Sequence, residues 1–424
     1  MTDTDAERLA DRVRDGDLRM HELEAHADAG TAAAARRRLV ESETGAALPT
    51  VGDYSFPAER ADPNVENMIG AAQVPMGVVG PLPVDGGAAE GDHWLPMATT
   101  EGALLASVNR GASAIRAAGG ATARVLKSKM TRAPVFRVRD VAEASEVVSW
   151  VRGNEASLRE AAESTTSHGE LRDVTPYVVG DSVFLRFGYD TKDAMGMNMA
   201  TIATQEACEL LERETPASLV ALSGNLCTDK KPAAINAVEG RGRTVSADVV
   251  LPRELVEDRF KTTPEAMVEA NTRKNLVGSA KAGSLGFNAQ AANVVAAAFL
   301  ALGQDAAQVV EGANTITTLD VRREGSASDP SGPSADERSG SDGELYASVT
   351  LASLEVGTVG GGTKLPTQSE ALDVVGVRGG GDPPGSNADA LAEVIAAGAL
   401  AGELSLMGAL AASHLASAHE ELGR

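Results

Sequence analysis

The chain has 424 residues, a formal charge of −22 at neutral pH and an isoelectric point near 4.7, with 43 % hydrophobic residues but only 3 % aromatics. That length and apolar content fill two or three folded domains and exclude disorder for most of the chain, and the acidity argues against nucleic acid or an anionic membrane as a partner. Cys208 and Cys227 are the only cysteines, which excludes a disulfide scaffold and a four-cysteine zinc site; no metal is expected. Lysine is scarce against arginine, and a large negative charge of this kind is what a halophilic cytoplasm favours. The N-terminus has neither a basic region nor an apolar signal core, so a soluble cytoplasmic protein is expected.

In chain order, residues 1–45 carry helical spacing and form an N-terminal helical segment. Pro49, Pro57 and Pro63 mark an extended connection after it. Residues 66–84 alternate turn residues with short β-prone runs. A long helical pattern opens at Pro96, with Thr99 or Thr100 as its cap, and stops at Gly119-Gly120. Strands come next over 121–139 around the turn 131–134. A helix is expected over 140–162, a hairpin of Val174–Val179 and Val183–Gly188, a helix over 195–214 and a strand over 218–222. Thr262-Thr-Pro-Glu265 starts another helix, with Pro at its first position. An Ala-rich buried helix spans 287–302. Residues 322–343, rich in Ser, Gly, Asp and Pro, read as a mobile loop. The apolar stretch 391–418 is broken by Glu393, Glu403 and His414 and reads as a buried helix, not a membrane span.

Chemistry concentrates in Ser223–Arg243. Lys230 and Lys231 are adjacent in a chain that spends few lysines. Two neighbouring ammonium groups repel, so Asp229 is expected to neutralise one and an anionic ligand the other. A lysine ammonium is a compact point charge suited to a developing oxyanion. Three methionines flank Gly196 in Asp193-Ala-Met-Gly-Met-Asn-Met199, at a strand-to-helix junction where a helix N-terminus can hold an anion; a plastic core patch is the plainer account. Gly357–Lys364 looks like a phosphate loop but fails the Walker pattern, which leaves a tight backbone crossing as the alternative. Glu101 reads as a first-turn helix acid and Asp305 as an N-cap after the buried helix.

Taken together, Glu66–Gly70, Met97–Gly102, Met130–Arg132, Asp193–Met199, Ser223–Arg243, Gly303–Ala307, Gly357–Thr363 and Gly402–Leu406 resemble 3-hydroxy-3-methylglutaryl-CoA (HMG-CoA) reductases over residues 66–424. Met197, where the bacterial catabolic class usually carries Ala, resembles the biosynthetic class I; the absence of a membrane anchor resembles the soluble archaeal form. The resemblance implies an α+β fold: a large domain around a long central helix (61–132 and 235–424), an inserted small ferredoxin-like cofactor domain (133–222) and a linking active-site loop (223–234).

It also implies reduction of (S)-HMG-CoA to (R)-mevalonate and CoA with two NADPH, by homodimers or homotetramers with shared active sites. Lys230 then stabilises the oxyanion, Asp305 holds Lys230, Glu101 protonates the aldehyde oxygen and His419 protonates the departing thiolate. A carboxyl serves as acid near neutral pH only where burial or a neighbouring acid raises its pKa, and Asp305 is the neighbour expected for Glu101. Arg132, Ser223, Asn225, Lys231, Lys274 and Asn293 match substrate positions. Asp193, Met195, Gly196, Met197 and Asn198 match cofactor positions, with Ser167 and His168 at the 2′-phosphate. Gln290 stands where eukaryotic members carry His. His414, five residues before His419, matches a helix-packing histidine. The rival chemistry is a CoA-dependent aldehyde dehydrogenase or acyl transferase, for which Cys227 is the one candidate nucleophile, and it has no His near it in sequence. A nucleotide-binding regulator built on Gly357–Lys364 is the non-catalytic alternative.

Overall fold

The computed structural model describes residues 3–323 and 343–412. Helices α1 (Asp3–Arg14) and α2 (Ala29–Thr44) open the chain and bury Leu9, Leu23, Ala32 and Ala35 in a small core of their own. The Asp28 side chain accepts from the Thr31 N–H to start α2, and Gly45, at φ 72°, ends it. Two contacts tie this segment to residues 58–69: Arg37 donates to the Ile69 carbonyl at 2.7 Å, and Met68 is buried against Ala29, Ala58 and Ala61.

Strands β1 (Met76–Gly86) and β2 (Glu90–Ala98) form an antiparallel hairpin. The sequence pattern starts a helix at Pro96, but strand pairing claims every residue to Ala98, and α3 (Leu104–Ala117) begins only after a left-handed Ala103 with no side-chain cap. Thr99 serves the intervening turn instead, its hydroxyl accepting from the Glu101 N–H at 3.0 Å. β3 (Ala121–Arg132) and β4 (Val135–Arg137) come next. The expected single helix over 140–162 is two, α4 (Val141–Gly153) and α5 (Glu155–Glu163), because the Asn154 side chain turns back to the Trp150 carbonyl at 2.8 Å and its backbone leaves the helical region. β5 (Glu170–Val179) and β6 (Ser182–Asp190) make the expected hairpin, followed by α6 (Met197–Glu214) and β7 (Ser218–Ala221).

The second half contributes β8 (Gly242–Leu251), α7 (Arg253–Phe260), α8 (Pro264–Asn271, capped by Thr263), α9 (Ala291–Ala301), β9 (Thr315–Arg322), β10 (Glu344–Leu354), α10 (Pro366–Val375) and α11 (Ser386–Ala411). A π-helical turn, Thr272–Gly278, extends α8 and carries Lys274. The Ser- and Gly-rich stretch joining β9 to β10, like His414 and His419, falls outside the described residues.

The fold is mixed α and β on largely antiparallel strands. They run β7-β4-β6-β3-β8-β10-β9, with β5 beside β6, β1 parallel to β3, and β2 beside β1. β3 serves both ends of this array: Thr122–Lys129 pairs with β8, and Met130–Arg132 pairs with β6. One large core gathers β1, β2, β8 and β10 around α3, α9 and α11; a second is built from β4–β7 and α4–α6.

α11 has apolar residues all round, and nineteen of its residues are buried. It is the one helix among the described residues long and apolar enough to cross a membrane, and here it is the axis of the large core. Small residues let its neighbours approach: a Cβ on Gly111 of α3 would collide with the Ala401 carbonyl. Its two buried acids bind backbone. Glu393 accepts from the Gly87, Ala88 and Ala89 N–H groups in the β1–β2 turn. Glu403 accepts from Ala289 and Gln290 ahead of α9 and from the Thr317 hydroxyl. Each carboxylate replaces water's hydrogen bonds, which is what permits an acid in an apolar helix.

Candidate active site

The loop from Ser223 to Pro232 carries backbone strain. Asn225, Thr228 and Lys230 all have positive φ (61°, 51° and 57°), a conformation that costs any side-chain-bearing residue and most of all the β-branched Thr228. Packing holds it: the Gly224 N–H donates to the Ala133 carbonyl at 2.6 Å, and a Cβ there would strike Val135 and Phe184. Cys227 is buried with Ser223 Oγ 3.7 Å from its sulfur. No histidine is among its partners, so the nucleophile–base pair the rival chemistry needs is not formed by the described residues.

Lys230 Nζ lies 2.8 Å from Asp305 Oδ2. That hydrogen bond holds the ammonium pKa above its ordinary value; burial works against it, the Asp305 and Asp229 charges add to it, and Arg241 opposes it. Asp305 does two jobs: its other oxygen accepts from the Ala307 N–H at 3.1 Å, starting a short turn of 3₁₀-helix. Asp229 adds its charge to the field at Lys230 but is paired elsewhere. Its carboxylate is 2.9 Å from Arg241 and accepts from Gln308 at 2.9 Å. Lys231 donates to the Asp229 carbonyl at 3.0 Å, and no ion pair joins it to a carboxylate among the described residues.

Beneath the loop is a buried cluster that sequence reasoning missed. Arg241 is fully buried among Asp229, Glu355 (3.0 Å) and Glu311 (3.7 Å), with Gln308 at 3.0 Å and the Met197 sulfur at 2.9 Å. One guanidinium cannot neutralise three carboxylates. Burial pushes the pKa of Glu355 up to about 8 despite Arg241, and raises that of Glu311 as well. Glu311 accepts the backbone N–H of Lys230. The signal available in the sequence was a lone acid inside an apolar run, Ser353-Leu-Glu-Val-Gly357.

Glu101 sits elsewhere. Its carboxylate accepts from Asn293 Nδ2 at 3.3 Å, beside the first turn of α9. Asp305 lies past the far end of the same helix, so the expected neighbour is not beside Glu101 within one chain. The helix that lies between them is eleven residues, about 16 Å, long. Lys274 is exposed on the π-helical turn and donates to Asn275 at 3.2 Å. Gln290 is spent on packing, donating to the Gly402 carbonyl at 2.5 Å and the Ser107 hydroxyl at 3.3 Å. Arg132 ends β3 half-buried, with its Nε unpartnered. Asn225 is exposed at the loop's crest.

The methionine segment lies on a backbone crossing. Asp193 does not present its carboxylate to a ligand: it accepts from the Gly381, Gly385 and Ala388 N–H groups, closing the N-terminus of α11. Its carbonyl accepts from Thr358 at 2.8 Å. Gly357 runs against Met195, and Gln304 exchanges two hydrogen bonds with Gly357. The Gly-rich stretch is therefore the tight crossing, registering residues 193–197 against Asp305. Gly196, at φ 86°, precedes α6, whose N-terminus has no side-chain cap, so its first N–H groups are available to an anion, with Asn198 exposed beside them. Ser167 and His168 are exposed on the α5–β5 turn, which packs on Met199 through Gly169. These residues suit the phosphates of a dinucleotide.

A family model for hydroxymethylglutaryl-coenzyme A reductase matches residues 32–424. The chain is 72 % identical over 421 residues to the 3-hydroxy-3-methylglutaryl-coenzyme A reductase of Haloferax volcanii, covering 99 % of this chain and 100 % of that one. It is 68 % identical to that of Halobacterium salinarum, covering 99 % of each, and 50 % identical to that of Pyrococcus abyssi, again covering 99 % of each. In fold it is similar to the class II 3-hydroxy-3-methylglutaryl-CoA reductase of Streptococcus pneumoniae bound to NADPH, with a TM-score of 0.64 at 20 % identity over 88 % of this chain and 96 % of that one. Strained loop, lysine–aspartate pair and uncapped helix start thus occur in a chain that belongs to the hydroxymethylglutaryl-coenzyme A reductase family.

Proposed function

We propose that this chain is a reductase of the biosynthetic class I whose active site is assembled from two copies of it. The reaction is that of its family: HMG-CoA is reduced to mevalonate with NADPH. The observation that carries the shared site is the separation of the two acid-containing pairs by the length of α9. A two-fold axis brings Lys230 and Asp305 of one chain to Glu101 and Asn293 of the other, in a homodimer or in a homotetramer of such dimers.

Bound NADPH supplies the hydride in both reductions, held by Met195, Gly196, Met197, Asn198, Ser167 and His168. Lys230 meets the negative charge that builds on the thioester oxygen and again on the aldehyde oxygen, and Asp305 keeps it charged and aimed. CoA leaves as a thiolate, for which His419 is the acid. Glu101 gives the aldehyde oxygen its proton. Arg132, Ser223, Asn225, Lys231, Lys274 and Asn293 hold the substrate's acid and alcohol groups, and the Lys231 charge suits a carboxylate.

The reading divides the chain into a helical segment (1–60), a large substrate unit (61–132 and 235–424), a small cofactor unit (133–222) and the linking loop (223–234). The order strand-helix-helix-strand-strand-helix-strand, arranged β7-β4-β6-β5 with antiparallel neighbours, supports a ferredoxin-like small unit. Met197 supports class I, and the high identity to archaeal relatives supports a soluble cytoplasmic enzyme.

Two measurements test this. Counting NADPH consumed against CoA released must give two to one. Mixing an inactive Lys230→Ala enzyme with an inactive Glu101→Gln enzyme under conditions that exchange subunits must restore about a quarter of wild-type activity, because half the dimers then carry one intact site. No recovery, in a sample whose subunits have demonstrably exchanged, would confine the site to a single chain.

A further inference from the structure

Glu311 belongs to none of the groups assigned above, yet its carboxylate touches the strained loop directly. It is fully buried in the short helix Val309–Gly312, accepts the Lys230 backbone N–H through Oε1, and has the Lys231 N–H against it as well. Lys230 has a left-handed backbone, φ 57°, a strained conformation for a residue with a side chain, and here outside any helix cap. Rotating that residue back to negative φ would swing its side chain away from Asp305 and withdraw its N–H from Glu311 together. We propose that Glu311 is a positioning residue for hydride transfer, fixing the left-handed turn that aims the Lys230 ammonium at Asp305 and the reacting oxygen. This deepens the reading of Lys230 as the oxyanion's partner and rests on it.

The competing account makes Glu311 only a counter-charge for Arg241. The cluster argues against that account. Arg241 already has the Asp229 carboxylate at 2.9 Å as its counter-charge and donates a hydrogen bond to Glu355 at 3.0 Å, both closer than Glu311 at 3.7 Å. The hydrogen bonds that Glu311 accepts come instead from the loop backbone, from the N–H groups of Lys230 and Lys231. What the site needs from residue 311 is therefore an oxygen at a fixed place more than a negative charge.

Two substitutions separate the accounts. Glu311→Gln keeps an oxygen at the same reach and removes the charge. Glu311→Asp keeps the charge and withdraws the oxygen by one methylene. With both proteins shown folded by circular dichroism and at wild-type oligomeric size, the Gln variant should keep kcat within about 3-fold of wild type. The Asp variant should lose about 10-fold or more in kcat while KM for HMG-CoA and NADPH stays within about 2-fold, because a misplacement of about an ångström near the chemistry acts on the transition state. A readout independent of turnover accompanies this. The pH dependence of Lys230 acylation, followed by mass spectrometry, should keep its upward-shifted midpoint in Gln and move toward that of an ordinary lysine in Asp.

The reverse order, Asp active and Gln impaired, would overturn the proposal in favour of the counter-charge. Both variants matching wild type in kcat and in the Lys230 profile would overturn it too. Lys230→Ala, assayed alongside, separates the two levels: if that enzyme retains turnover, the catalytic reading has failed; if it is inactive while Glu311→Asp is normal, only the positioning role has.

Discussion

Gly357 passes Met195 so closely that a Cβ on the glycine would collide with the Met195 amide nitrogen and sit 3.0 Å from the Asp193 carbonyl oxygen. Residues 193–195 and the stretch leading to the Gly-rich loop are in backbone contact, with no room for a side chain between them. Gly357→Ala should therefore push residues 193–197 outward. The expected result is NADPH binding weakened by about 10-fold or more, read by nucleotide fluorescence titration, with little change in KM for the thioester. Unaltered NADPH affinity in a folded Gly357→Ala protein would mean that the segment does not hold the cofactor.

The Lys230–Asp305 pair makes a second prediction. Lys230→Ala should reduce turnover by about 10²–10³-fold or more, and Lys230→Arg should not restore it, because a planar fork cannot occupy the position of a point charge 2.8 Å from Asp305. Asp305→Asn should lower the Lys230 pKa, since the hydrogen bond to Asp305 is the largest cause of its elevation. Near-normal steady-state rates with Arg at 230 would remove the oxyanion role.

The buried cluster gives stability a pH dependence of definite sign. Glu355 has an ordinary pKa of 4.5, raised by burial to about 8 in the folded chain. Between those values the folded state holds a proton that the unfolded state has released, so stability is fully present below about pH 4.5 and falls as pH rises towards 8, by at most about 1.4 kcal/mol per pH unit from this group. Burial shifts Glu311 and Glu403 in the same direction. Glu355→Gln should flatten the fall, and melting temperatures of the two proteins at pH 6 and pH 9 check it. Parallel curves would show that Glu355 is ionised in the fold.

Salt dependence arises from the charge of −22. Low ionic strength leaves self-repulsion unscreened over a Debye length of about 30 Å at 0.01 M. Activity and subunit assembly should decline together in dilute buffer and return at molar salt, followed by assay and light scattering across a potassium chloride series. Full assembly at about 0.01 M salt would separate the acidic surface from any requirement for salt.

Much of the candidate site was legible because it is local in sequence. A paired lysine in a lysine-poor chain pointed to Lys230, and a Gly between methionines at a helix start pointed to residues 195–198. The hairpin of β5 and β6 was legible from alternation about Gly180-Asp181. What stayed hidden depends on distance. Arg241 meets Glu355 across 114 positions, and Lys230 meets Glu311 across 81, so no window of sequence contains either pair. β2 was hidden because its last residues run directly into a turn whose threonines look like a helix cap; pairing with β1 decided the matter. The left-handed Lys230 was hidden for a related reason, since its backbone N–H is held by Glu311 from a distant part of the chain.

The strand Ala121–Arg132 changes partners between Lys129 and Met130, from β8 behind to β6 ahead. Its first part lies in the large core and its last residues in the second core, with Lys129 at the junction pinned to Asp173 at 3.0 Å. Arg132 is the last residue of that strand. Any tilt between the two cores would turn the Arg132 backbone with it, so the angle between the cores and the direction in which Arg132 reaches are set by the same bend.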